Sequence, residues 1–106
     1  MTTLASPSLN GSPLAVWRVE MAPGASGPQH EAGLEQVLVV TDGELAVTVD
    51  GARHDLRSGD ALRLPAAAPR QVVNEGPLPA TAVVSSFPGA TATVPGQDPV
   101  PIPWAA

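Results

Sequence analysis

The chain has 106 residues, a formal charge of −5, a sequence pI near 4.6, no Cys and no Lys. That length suits one domain with a working core, and the acidic balance argues against nucleic acid or an anionic membrane as partner. The missing Lys excludes a Schiff-base or phosphate-loop lysine, and the missing Cys excludes thiol nucleophiles, thiolate metal sites and disulfides.

Residues 1–12 are rich in Ser, Thr, Gly and Pro and are expected to form a loosely ordered N-terminal segment. The first six have no basic n-region and no long apolar h-region, and no apolar run is long enough to span a bilayer. A cytoplasmic protein is the expectation.

Residues 13–90 read as one all-β domain. Thirteen Pro and ten Gly leave little room for an uninterrupted helix. Short β-type runs recur at 14–21, 36–40, 44–49, 53–56, 61–64, 71–73 and 80–85. Within the third, Leu45, Val47 and Val49 fall on one face, with Ala46 and Thr48 on the other. Turn residues separate the runs: Asp42-Gly43, Asp50-Gly51, Ser58-Gly59-Asp60 and Asn74 to Pro77. Asp-Gly between alternating apolar residues predicts hairpins. Many short strands at regular spacing mean a sandwich or barrel. Residues 91–106 read as a Pro-rich tail, of which 95–104 cannot be an interior strand, because its prolines cannot donate to a ladder. It is expected to pack on the barrel through Trp104.

Two blocks carry a recognisable spacing. In the first, Gly24 is followed by five residues, then His30-Glu31-Ala32, three more, Gln36, six more and Gly43. In the second, Gly59 leads through Pro65-Ala66-Ala67 to Arg70 and then Asn74. These intervals resemble the two motifs of the cupin superfamily, which read Gly-x5-His-x-His-x3–4-Glu-x6-Gly and Gly-x5-Pro-x-Gly-x2-His-x3-Asn. The resemblance covers roughly residues 14–88. It implies a double-stranded β-helix, or jelly-roll barrel, of about eight strands, and pairing into a homodimer that covers an open barrel edge.

Members of that family usually hold a divalent metal through two His and one Glu of the first block and one His of the second. This chain has His30, Ala32, Gln36 and Arg70 at those positions. Ala offers no ligand atom, Gln only a neutral carbonyl oxygen, and Arg is a cation without an acceptor. No cofactor is therefore expected, with a residual divalent metal at His30 as the minor alternative. A second alignment takes His30 as the second His and Glu35 as the carboxylate. Gln36 satisfies both intervals at once and is favoured as the inward residue, and strand alternation sends Glu35 to the opposite face.

The expected site is thus His30, Gln36 and Arg70, a polar trio suited to a polar or anionic small molecule, with His30 as the candidate catalytic acid/base. Arg70 could clamp a carboxylate or phosphate, or else reach outward or pair with Glu31 or Glu35. Three function classes follow: a small-molecule-binding barrel, an enzyme using His30 (a metal-free isomerase or cyclase, or a weakly metal-dependent one), or an interaction module whose barrel is filled. A cavity at the trio would separate the first two from the third.

Overall fold

A computed structural model describes residues 1–105. Its strands are β1 (Thr2–Ala5), β2 (Ala15–Met21), β3 (Glu31–Ala32), β4 (Gln36–Asp42), β5 (Glu44–Val49), β6 (Ala52–Arg57), β7 (Ala61–Leu64), β8 (Arg70–Val73), β9 (Ala80–Ser86), β10 (Thr91–Thr93) and β11 (Val100–Pro101). One helical turn, α1 (Pro7–Asn10), follows β1, and a 3-10 turn, Pro103–Ala105, ends the described chain. Among the described residues no helix is long and apolar enough to cross a membrane.

The strands form three antiparallel sheets, in the orders β1-β2-β9-β4-β7, β6-β5-β8 and β11-β10-β3. This is a jelly-roll barrel in which the first two sheets face each other. Period-two alternation fixes which side chains turn inward. From the five-stranded sheet come Ala15, Trp17, Leu38, Val40, Leu64, Ala82 and Val84, and from the facing sheet Leu45, Val47, Val49 and Leu56. The register sets Val49 opposite Arg70 and Val47 opposite both Val72 and His54, so these three share the inner face.

The two Asp-Gly pairs behave differently. Asp50 and Gly51 both have positive φ (49° and 80°) and close a two-residue hairpin between β5 and β6, as a type I′ turn requires. Asp42-Gly43 closes no hairpin: β4 and β5 lie in different sheets, and the chain turns a corner there. Gly43 has φ 76°, and a Cβ on it would stand 2.7 Å from the Pro79 carbonyl oxygen. Close backbone approach, rather than hairpin geometry, is why Gly occupies that position.

The N-terminal segment also departs from what its composition suggested. β1 pairs with β2 at the edge of the large sheet. The hydroxyl of buried Ser6 caps α1 by accepting from Leu9 N at 3.1 Å, and Gly11 ends it at φ 71°. The tail lies against the same region: β11 pairs with β10, Ile102 is buried, and Thr3 Oγ1 donates to the Trp104 carbonyl at 2.9 Å.

Candidate functional site

The site is built around a cross-strand pair. Residues 26–30 run as an irregular strand beside β8, joined by bridges between Ser26 and Val73 and between His30 and Arg70. His30 N donates to Arg70 O at 2.9 Å and Arg70 N to His30 O at 2.8 Å. This reciprocal pairing fixes the two residues side by side.

Arg70 is 1% exposed, among the largest fully buried side chains in the molecule. Its Nε donates to Ala68 O at 3.0 Å, its Nη1 to Gln36 Oε1 at 3.2 Å, and its Nη2 to Pro65 O. The turn from Pro65 to Pro69 thus wraps its carbonyls around the guanidinium. Of the five N–H groups of a guanidinium, these bonds use three and leave two. Among the described residues no carboxylate forms an ion pair with Arg70. Burial is the main influence on it and pulls its pKa below the ordinary guanidinium value, while the charges of Glu31 and Asp50 pull the other way. It remains a cation, held by neutral oxygens alone.

Gln36 opens β4 and is 5% exposed. A guanidinium only donates, so the atom facing Arg70 is the amide oxygen. The Nε2 of Gln36 has no protein acceptor among the described residues. His30 is half-buried, with Nδ1 3.1 Å from the Pro28 carbonyl oxygen. A carbonyl only accepts, so Nδ1 carries the proton, and in the neutral ring Nε2 is a bare acceptor.

All three side chains line one cavity of about 340 Å³ inside the barrel. Its remaining wall is mostly apolar, including Trp17, Leu38, Leu64, Val84 and Ile102. The structure therefore brings His30, Gln36 and Arg70 together. Glu35 lies elsewhere: it is exposed and paired with Arg63. Arg70 pairs with neither Glu31 nor Glu35. The Pro65 and Ala68 carbonyls and the cavity wall from Ile102 and Trp104 are further components that strand patterning does not announce, since they come from a turn and from the Pro-rich tail.

Two other polar features are structural. Asn74, 0% exposed, donates through Nδ2 to Met21 O (3.0 Å) and Leu78 O (2.9 Å) and accepts from Gly76 N (3.0 Å). A second concavity of about 400 Å³ lies by β5 and β6 and includes Arg53, Asp55, Arg57, Glu44 and Glu75. Its two cations stand among three carboxylates. Arg53 bonds both Asp55 and Glu75, and Glu44 stands opposite Arg57.

The family's usual metal does not fit these residues. Buried Ala32 has no donor atom, the Gln36 oxygen is taken by Arg70, and a guanidinium occupies the fourth position. Among the described residues no three His, Cys, Asp or Glu gather into a cluster able to hold a metal ion.

The cupin domain family model matches residues 17–86. The chain belongs to the cupin family. No curated protein matches it. Among solved structures it is similar to a sugar phosphate isomerase of the cupin superfamily from Silicibacter pomeroyi DSS-3 (29% identity, TM-score 0.73), covering 91% of this chain and 66% of that one. It is similar also to oxalate oxidase in complex with the substrate analogue glycolate (26% identity, TM-score 0.72), covering 84% of this chain and 52% of that one. A cupin domain of an XRE family transcriptional regulator from Enterobacter cloacae aligns over 81% of this chain and 92% of its own (25% identity, TM-score 0.68).

Proposed function

We propose that this cupin binds a small organic anion in the barrel cavity, with the charged group toward Gln36 and Arg70 and an apolar body along Trp17, Leu38 and Val84. The observation that carries the proposal is Arg70: a fully buried cation lining a cavity, hydrogen-bonded by carbonyl oxygens alone and without an ion-paired carboxylate among the described residues. A buried charge without a direct ion pair costs several kcal/mol in effective terms; the charges of Glu31 and Asp50 offset part of that cost, and an anion entering the cavity offsets more. The names of two similar structures point to anionic compounds as well, a sugar phosphate and glycolate. The apolar wall favours a monocarboxylate over a sugar phosphate, whose hydroxyls would be left unpaired there.

The test is a thermal-shift panel of carboxylates and sugar phosphates on the wild type and on Gln36→Glu, which places an internal carboxylate against Arg70. A ligand at 100 times its Kd stabilises by about 2.7 kcal/mol, worth about 10 °C or more in a domain of this size. Stabilisation of the wild type that is lost in Gln36→Glu is expected. Equal responses of the two proteins, or none in either, overturn the proposal.

A second reading, a metal-free acid/base isomerase, is favoured by one observation: the bare Nε2 of His30 facing a cavity that also holds a cation. Exchange of ligand C–H protons with D2O, abolished in His30→Ala, separates it from binding alone. We also propose a homodimer formed through the outer face of the large sheet, where Val37 is exposed beside half-buried Val16, Val39 and Val83. A monomer mass by sedimentation analysis removes that part.

A further inference from the structure

The cavity's polar end is directional as well as positive. Arg70 takes the oxygen of Gln36, a cavity-lining residue 95% buried, and so leaves its amide N–H pair as a donor without a protein acceptor among the described residues. Pro28 O takes the Nδ1 proton of His30 and so leaves Nε2 as an acceptor on the same cavity. The two groups are orientated by different partners, yet both stand beside Arg70: Gln36 through its side chain and His30 through the reciprocal backbone pair. A complementary ligand needs an acceptor for Gln36, a negative charge for Arg70, and a donor for His30 within a few atoms of that charge.

We infer that the ligand is a hydroxy acid, with its hydroxyl on the carbon bearing the carboxylate or the next one and an apolar substituent beyond. This rests on the anion-binding proposal above and adds the hydroxyl. The carboxylate accepts from Gln36, with the Arg70 charge behind it, and the hydroxyl donates to His30 Nε2. An amino acid carries a donor at the same place, but its ammonium sets a positive charge beside buried Arg70. A simple carboxylic acid brings no donor for the His30 acceptor at the polar end. The acidic residue lining the cavity, Glu20, is exposed and paired with Arg18, so it offers no competing partner at the polar end.

Calorimetric titration of the intact wild-type chain with three matched probes decides this: mandelate, phenylacetate and phenylglycine. The better-bound enantiomer of mandelate is expected to bind about tenfold tighter than phenylacetate, the worth of one net hydrogen bond, and phenylglycine more weakly than either. In His30→Ala the advantage of mandelate over phenylacetate falls to about one. The wild-type series stands by itself if that variant fails to fold. Equal affinity of mandelate and phenylacetate overturns the hydroxyl assignment and leaves the anion-binding proposal intact. Phenylglycine binding as tightly as mandelate overturns the placement of the charged group on Arg70. Binding of none of the three overturns both.

Discussion

Arg70 donates through Nη1 to Gln36 Oε1 at 3.2 Å, so the last two positions of the family's metal-ligand pattern are bonded to each other. The bond uses the one good donor atom Gln36 could give a metal and sets a fixed positive charge beside it. Protein purified without chelator is therefore expected to carry Fe, Mn, Ni and Zn at well below one equivalent. Near-stoichiometric metal that disappears in His30→Ala contradicts this.

Asn74 ties its own loop, through Gly76 and Leu78, to the distant Met21 backbone. Its own backbone also takes part, with Asn74 N donating to Ala25 O and Gly24 N to Asn74 O. Asn74→Ala keeps the backbone bonds but leaves buried partners unmet, at a cost of ~2–4 kcal/mol. Chemical denaturation measures it. A loss under half a kcal/mol removes the stapling role.

Gly43 and Ala67 make opposite predictions. Ala67 stands where the family pattern has Gly, and it holds φ 61° while donating its N–H to Ala32 O at 2.8 Å. The left-handed conformation costs a non-Gly residue ~1–2 kcal/mol, and Gly gives back ~0.4–1 kcal/mol through the unfolded chain. Ala67 is exposed, so no packing is lost. Ala67→Gly is expected to gain ~0.5 kcal/mol from these two terms. Gly43→Ala must displace the Pro79 carbonyl and is expected to cost ~2 kcal/mol or more. Melting temperatures that move the same way in both variants contradict the assignment.

Glu75 accepts from Arg53 Nη1 and Nη2 at 3.2 and 2.6 Å, and this bonding, followed by the Arg53 charge, holds its carboxyl below the ordinary range. A depressed carboxyl contributes stability that is fully present above its unfolded-state pKa and is lost as pH falls through the folded-state value. The melting temperature of the wild type should exceed that of Glu75→Gln at neutral pH, and the gap should close in acid. Both groups are exposed, so the gap is small and screened by salt. A gap that widens on acidification contradicts the pairing.

The seven main strands were legible because their alternation is local: each expected run lies within one or two residues of a strand, from β2 to β9. β1, β3, β10 and β11 were not. They are two to four residues long and owe their existence to partners far away in sequence, as Thr93 does to Glu31. Asp42-Gly43 and Asp50-Gly51 look alike in sequence, and only the distant Pro79-Ala80 backbone separates them. At the site, motif spacing together with strand alternation placed Gln36 inward and Glu35 outward. The fate of Arg70 lay beyond sequence, because its partners at Pro65 and Ala68 are main-chain oxygens that any residue would supply.

The most direct test of the central claim is an NMR titration with phenylacetate, following the side-chain amide resonances of Gln36 and Asn74. Asn74 is bonded on both its N–H and carbonyl sides by protein and lies off the cavity wall. An anion bound at the polar end shifts the Gln36 amide in a saturable way and leaves Asn74 in place. A Gln36 amide that stays fixed through the titration contradicts the assignment of the barrel cavity as an anion site.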